Sequence, residues 1–149
     1  QKNCRMSLTE ISRTVGLSVD SVKKRIKRMI ENNIFHPRIQ LRPRHFGFSN
    51  IVEVKLRLHN YTNEDITEFI KYLKECPYVA EVISLSGEWD FTLIIIAKDS
   101  EHLNRISLSI REKFNKMINS WSESLSVRVY KFEVYDMVKL MDCSGNVKK

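Results

Sequence analysis

An α+β fold in two parts is predicted for this sequence: a helix-turn-helix, then a βαββαβ sheet domain. Three features predict it. Two short amphipathic helices meet across a glycine near the N-terminus, runs of period 2 alternate with runs of period 3.6 over the rest, and charge is shared unevenly between the two parts.

The first element begins at Ser7-Leu8-Thr9-Glu10, a capping box in which the Ser7 hydroxyl accepts from the Glu10 amide and the Glu10 carboxylate reaches back. Leu8, Ile11 and Val15 recur at helical spacing, and Gly16 stops the helix where a positive φ is needed. After Leu17, Ser18 is a second N-cap. Val19, Val22, Ile26, Met29 and Ile30 form the apolar stripe of the second helix, which Asn32-Asn33 ends. Ile34-Phe35-His36 with Ile39 and Leu41 reads as a strand or wing interrupted at Pro37, which makes this part winged-helix-like. In the second part, residues 51–58 alternate cleanly as a half-buried strand. Thr62 or Asn63 caps a helix to about Glu75 that buries Ile66, Phe69, Ile70 and Leu73. A strand over 79–86 is joined by the hairpin Ser86-Gly87-Glu88-Trp89-Asp90 to Phe91–Ala97, apolar on both faces as a central strand should be. Asp99 or Ser100 caps a helix burying Leu103, Ile106, Ile110, Phe114 and Met117, and a last strand is expected over 126–135. This order is that of the ferredoxin-like fold. The division expected is 1–45 for the helix-turn-helix and its connecting strand, 46–139 for the sheet domain and 140–149 for a tail.

Charge separates the two parts. Of the 149 residues, which carry a net +7, the first 45 hold eleven basic and three acidic groups, a local +8; the remainder holds fourteen basic and fifteen acidic. Such asymmetry points to a polyanion-binding module attached to something else. On the second helix, Ser18, Asp20, Ser21, Lys24 and Arg25 take the N-terminal positions that read base edges in a major groove. Lys23, Lys27 and Arg28 fall where phosphates lie, and Arg38, Arg42 and Arg44 could add to them. The partner expected is double-stranded DNA. A solvated basic helix face would have the same composition, but not the capping box and glycine turn beside it.

Both helices of the sheet domain cover one face only. The expected last strand nevertheless offers Val127 and Val129 on one side and Tyr130, Phe132 and Val134 on the other, so a homodimer through the sheets is expected. Two-fold dimers suit palindromic DNA.

Other classes are poorly supplied. Only four Gly and three Pro leave no long flexible linker. Cys4, Cys76 and Cys143 are odd in number and far apart, which suits neither a disulfide framework nor zinc. His36, His45, His59 and His102 sit at no metal-ligand spacing, and there is no phosphate-cradling glycine loop or nucleophile elbow. No catalytic residue, metal or cofactor is expected, and no enzyme. The longest apolar run, Phe91–Ala97, cannot span a bilayer, and Gln1-Lys2-Asn3 does not open a signal peptide, so a cytoplasmic protein without a membrane partner is expected.

With these residues in view, the chain resembles the Lrp/AsnC (feast/famine) transcription regulators over roughly residues 3–139. The resemblance is carried by Ser7–Ser12, Val15–Ser18, Lys24–Met29, the connection Ile34–Leu41 with Arg42-Pro43 and Phe46-Gly47, and Ser86-Gly87-Glu88-Trp89-Asp90, which matches that family's Gly-x-x-Asp turn. It implies sequence-specific DNA binding and sheet-mediated dimers that assemble further. It also implies an amino-acid effector bound near the turn, at Gly87 and Asp90 with Ser86, Glu88 and Trp89 as neighbours. An Asp90 carboxylate can receive an amino group. Equally, Gly87 and Asp90 can simply build the hairpin. Against the family pattern the sequence opens near the end of the usual first helix, so an incomplete first helix is expected, and it has Val19 where a proline is usual. The same fold outline serves sirohaem decarboxylases, so the resemblance leaves open a related enzyme, which bound tetrapyrrole absorbance would reveal. It also leaves open a stand-alone amino-acid-sensing and assembly module.

Overall fold

The computed structural model describes residues 5–37, 39–132, 135 and 140. It resolves into two compact units, one built on the residues up to Gln40 and the other on Leu41–Tyr130.

In the first unit, α1 (Leu8–Val15) and α2 (Val19–Glu31) form as the capping residues dictate. Ser7 N donates to Glu10 Oε2 at 2.7 Å and Glu10 N to Ser7 Oγ at 3.2 Å, so both halves of the box are made. Gly16 takes the left-handed conformation, φ 67°, that a side chain would resist, and the Leu17 amide then reaches back to Ser12 O at 3.2 Å. Ser18 caps α2 by accepting from Ser21 N at 3.2 Å. Of the described residues here, Val22 alone is buried; Leu8, Val15 and Val19 remain exposed. The strand or wing expected across 34–41 is not formed by the described residues: the chain there is irregular, with Ile39 89% and Leu41 67% exposed. Pro37 removes an amide, and among the described residues no neighbouring strand supplies a ladder for the rest.

The second unit opens with a 3₁₀ turn at Pro43–Phe46 and continues as β1 (Asn50–Leu58), α3 (Asn63–Glu75), β2 (Val79–Ser84), β3 (Phe91–Ala97), α4 (Ser100–Lys113) and β4 (Ile118–Leu125). The sheet order is β2-β3-β1-β4 and every pairing is antiparallel. Val52, Val54, Leu56 and Leu58 line one face of β1 and meet Phe91, Leu93, Ile95 and Ala97 from β3. Phe69 and Leu73 of α3 and Ile106 and Ile110 of α4 close this core from the same side. Phe69 is its hub, edge-on to Phe91 (centroids 5.9 Å apart) and to Phe114 (5.0 Å).

The last strand lies earlier than the alternation in the sequence suggests. It occupies Ile118–Leu125, paired with β1 from Leu58↔Ile118 to Val52↔Leu125, and Ser126 N makes a further bond to Ile51 O at 2.8 Å. Beyond that point β1 has run out of partners, and the described residues 127–132 are exposed outside the sheet, Val127 at 80% and Tyr130 at 87%. Residues 133–134, with Val134, lie outside the described residues. At a sheet edge the ladder to β1 decides where the strand runs, so a segment as polar as Asn119-Ser120-Trp121-Ser122-Glu123-Ser124 can form it. Arg44, expected to reach phosphate, instead donates to Ser126 O (2.6 Å) and Val127 O (3.2 Å) and holds the chain as it leaves the sheet.

Candidate functional site

The candidate DNA-reading residues all sit at the start or on the outer face of α2. Ser18, Asp20, Lys23, Lys24, Arg25, Lys27 and Arg28 are exposed, and Ser21 is half-buried. The arrangement follows from helical spacing: Val22 turns inward and Ile26, Met29 and Ile30 are half-buried, which leaves the cations on the remaining arc. Ser18 Oγ donates to Ser21 Oγ at 2.9 Å, so the two hydroxyls organise the first turn. Lys27 pairs with Glu31 at 3.7 Å, with both side chains more than half exposed. An ion pair in that setting holds its partners weakly, and Lys27 stays available to an anion. A helix carrying cations over one arc fits a major groove about 12 Å wide.

The turn between β2 and β3 forms the second candidate site. Ser86, Gly87 and Glu88 are exposed, and Trp89 and Asp90 are half-buried. Gly87 has φ 145°, a conformation side chains avoid, so its hairpin-building role is realised. Asp90 acts at longer range than a local Asx turn would. Its Oδ2 accepts from Leu58 N at 2.7 Å, its amide donates to Leu56 O at 2.9 Å and its carbonyl accepts from Leu85 N at 2.8 Å. The turn is thereby stapled to the end of β1. Sequence reasoning missed Arg57. In the alternation of β1 it is one more outward polar residue, yet its Nε donates to Glu88 O at 3.0 Å and its Nη2 to Glu88 Oε1 at 3.3 Å. Its guanidinium also lies 5.4 Å from the centroid of the Trp89 ring. A carboxylate and an indole of the turn thus meet a guanidinium brought from β1.

No group of three or more His, Cys, Asp or Glu that could hold a metal is found among the described residues. Cys4 and Cys143 lie outside them, and Cys76 is a free thiol. Among them, no helix is long and apolar enough to cross a membrane.

Comparison with known proteins agrees with both halves of this geometry. Residues 1–30 match the AsnC-type helix-turn-helix domain, and residues 49–131, more than half of the chain, match the Lrp/AsnC ligand binding domain. The chain belongs to the Lrp/AsnC family of transcription regulators. Among curated relatives, HTH-type transcriptional regulator Ptr1 of Methanocaldococcus jannaschii is 32% identical over 120 residues, 78% of this chain and 76% of that protein. A proline dehydrogenase transcriptional activator of Rhodobacter capsulatus is 30% identical over 105 residues, 70% of this chain and 68% of its own length. Among solved structures, an AsnC family transcriptional regulator from Agrobacterium tumefaciens superposes with a TM-score of 0.81 at 22% identity, covering 95% of this chain and 92% of that one. A transcriptional regulator–L-Met complex from Neisseria meningitidis gives 0.76 at 18% identity, over 88% and 84% of the two chains. These likenesses establish the fold, α+β with a helix-turn-helix and a ferredoxin-like domain. As a Lrp/AsnC protein, the chain is a DNA-binding transcription regulator.

Proposed function

We propose that this Lrp/AsnC regulator reads a specific duplex site with α2, acts as a homodimer joined through the open sheet face, and answers to an amino acid held at the β2–β3 turn. The observation that carries the DNA reading is the exposed cationic arc of α2, set directly behind a capped helix and a glycine turn. On it, Ser18, Asp20, Ser21, Lys24 and Arg25 face base edges, while Lys23, Lys27 and Arg28 meet phosphates. DNA binding resides within 1–45 and the effector and dimer functions within 46–139, with 140–149 as a tail. The protein works in the cytoplasm and performs no catalysis.

The dimer reading is supported by the sheet face opposite α3 and α4. By register, Ile51, Ile94 and Ile96 share that face with Ile83, which is 45% exposed, and no helix of the second unit covers them. A sheet face left open, with these four isoleucines set among Glu53, Lys55 and Glu81, suits a second copy of the same chain, and a two-fold axis suits a palindromic site. Effector binding at Ser86, Gly87, Glu88, Trp89 and Asp90 is supported by the opposite charges of Arg57 and Asp90 at one turn, and by the L-Met complex of the Neisseria meningitidis neighbour. An effector acts only through differential affinity for two assemblies.

The test is selection of bound sequences from a random duplex pool at near-physiological salt. A roughly palindromic consensus is expected. Recovery of no consensus, with binding that vanishes as salt rises, would reduce α2 to an electrostatic patch. Sedimentation at micromolar concentration checks the dimer, which a monomer would refute.

A further inference from the structure

Arg57 is held by a contact that a ligand can replace. Its side chain lies at the end of β1, and the hydrogen bond to the Glu88 carbonyl and the Trp89 ring beneath keep the guanidinium on the turn. The third contact, to the Glu88 carboxylate at 3.3 Å, is of another kind: Arg57 is 43% exposed and Glu88 72%, so water competes for the pair. A second carboxylate offered from solution meets the same guanidinium fork, and a planar fork binds carboxylates in preference to most other groups. Asp90 lies two residues further on, with Oδ2 committed to Leu58 N. A carboxylate has acceptor sites to spare after one such bond.

We infer that Arg57 is the receptor for the α-carboxylate of the effector and that Glu88 is an internal competitor for it. This rests on the reading of the turn as the effector site. On the amino-acid effector of the proposed function, the α-carboxylate is the group that this guanidinium fork would receive. Trp89 is a positioning residue, because its ring keeps the guanidinium in place once Glu88 swings away. Glu88 lowers apparent affinity by the fraction of time it occupies Arg57, so the pair sets the concentration at which the regulator responds.

The experiment is calorimetric titration of the full chain with each of the twenty L-amino acids, and with the α-amide of every binder. The wild-type protein is expected to bind an amino acid at least tenfold more tightly than its amide. In Arg57→Gln that ratio falls close to one, and Arg57→Lys restores part of it. Glu88→Gln, which leaves Arg57 unopposed, tightens binding about two- to fivefold, as expected for a weak exposed pair. Acid-to-amide discrimination is the readout that a merely structural Arg57 would not move. If the wild-type chain binds no amino acid, the effector reading falls and this inference with it. If it binds but does not distinguish acid from amide, or if Arg57→Gln keeps the discrimination, the role of Arg57 alone is refuted. Unchanged or weaker binding by Glu88→Gln refutes the competition.

Discussion

Asp90 has two roles that one substitution confounds and another separates. The register of β1 with β3 ends at Leu56↔Phe91, so the amide of Leu58, a residue only 8% exposed, has no ladder partner on that side. Asp90 Oδ2 accepts from it at 2.7 Å. A hydrogen bond to a charged group contributes about 1.5–3 kcal/mol, and the half-buried setting of Asp90 puts this one near the lower end. Asp90→Ala is therefore expected to lose about 1.5–2 kcal/mol, because the Leu58 amide is left without its acceptor. Asp90→Asn keeps an oxygen at the same place and loses about 1 kcal/mol or less. The assay is urea unfolding of both variants beside the wild type, with site-specific DNA binding and the effector response measured on the same samples. Both variants should retain DNA binding, and Asp90→Asn should lose the effector response while staying folded. The structural argument is refuted if Asp90→Ala unfolds at the wild-type midpoint. The effector argument is refuted if Asp90→Asn responds like the wild type, since the amide cannot hold an ammonium by charge.

Three further outcomes follow from the same structure. Lys24→Ala and Arg25→Ala should each weaken specific DNA binding by about 1–3 kcal/mol and relax sequence preference, whereas Lys27→Ala and Arg28→Ala should weaken all duplexes alike and each lower the salt slope by about one, read from titrations at several ionic strengths. Phe69→Ala, which empties a site 0% exposed between Phe91 and Phe114, should lose about 3–5 kcal/mol in urea unfolding, and a loss under about 1 kcal/mol would contradict the core described. Hydrogen bonds from the Ser7 and Thr62 amides hold the Glu10 and Asp65 carboxyls below their ordinary pKa values. Groups lowered on folding add stability that is present above their unfolded pKa and is lost as pH falls through the folded value. Stability should therefore decline from about pH 4 downward, and Glu10→Gln with Asp65→Asn should flatten that decline in acid titration followed by circular dichroism.

Much of the architecture was legible in the residues because local chemistry determines it. The capping box at Ser7, the N-cap Ser18 and the left-handed Gly16 act over three or four residues, and α1 and α2 begin or end where those residues said; α3 and α4 start from Thr62 and Asp99, one of the two caps the sequence offered for each. The alternation over 51–58 became β1 because a strand with one buried face must repeat every two residues. The cationic arc of α2 could be read in advance for the same reason: helical periodicity sorts side chains without help from the rest of the chain.

What the sequence left open depends on partners distant along the chain. The last strand runs over Ile118–Leu125 because β1 offers its hydrogen bonds there, and no pattern within Asn119–Ser124 announces it. Residues 34–41 have strand-like spacing but find no neighbour to pair with among the described residues. Arg57 looks like an ordinary surface charge in sequence, and the local patterns that single out Arg44 and Asp90 do not show which atoms they bond. The bonds of Arg44, Arg57 and Asp90 to Ser126, Glu88 and Leu58 join positions 82, 31 and 32 residues apart. Local sequence thus determined the helices and the strands β1 and β3, and which way they face. Only the assembled sheet decided which distant atoms meet, because contacts across a sheet follow from topology and register, which no short stretch of residues encodes.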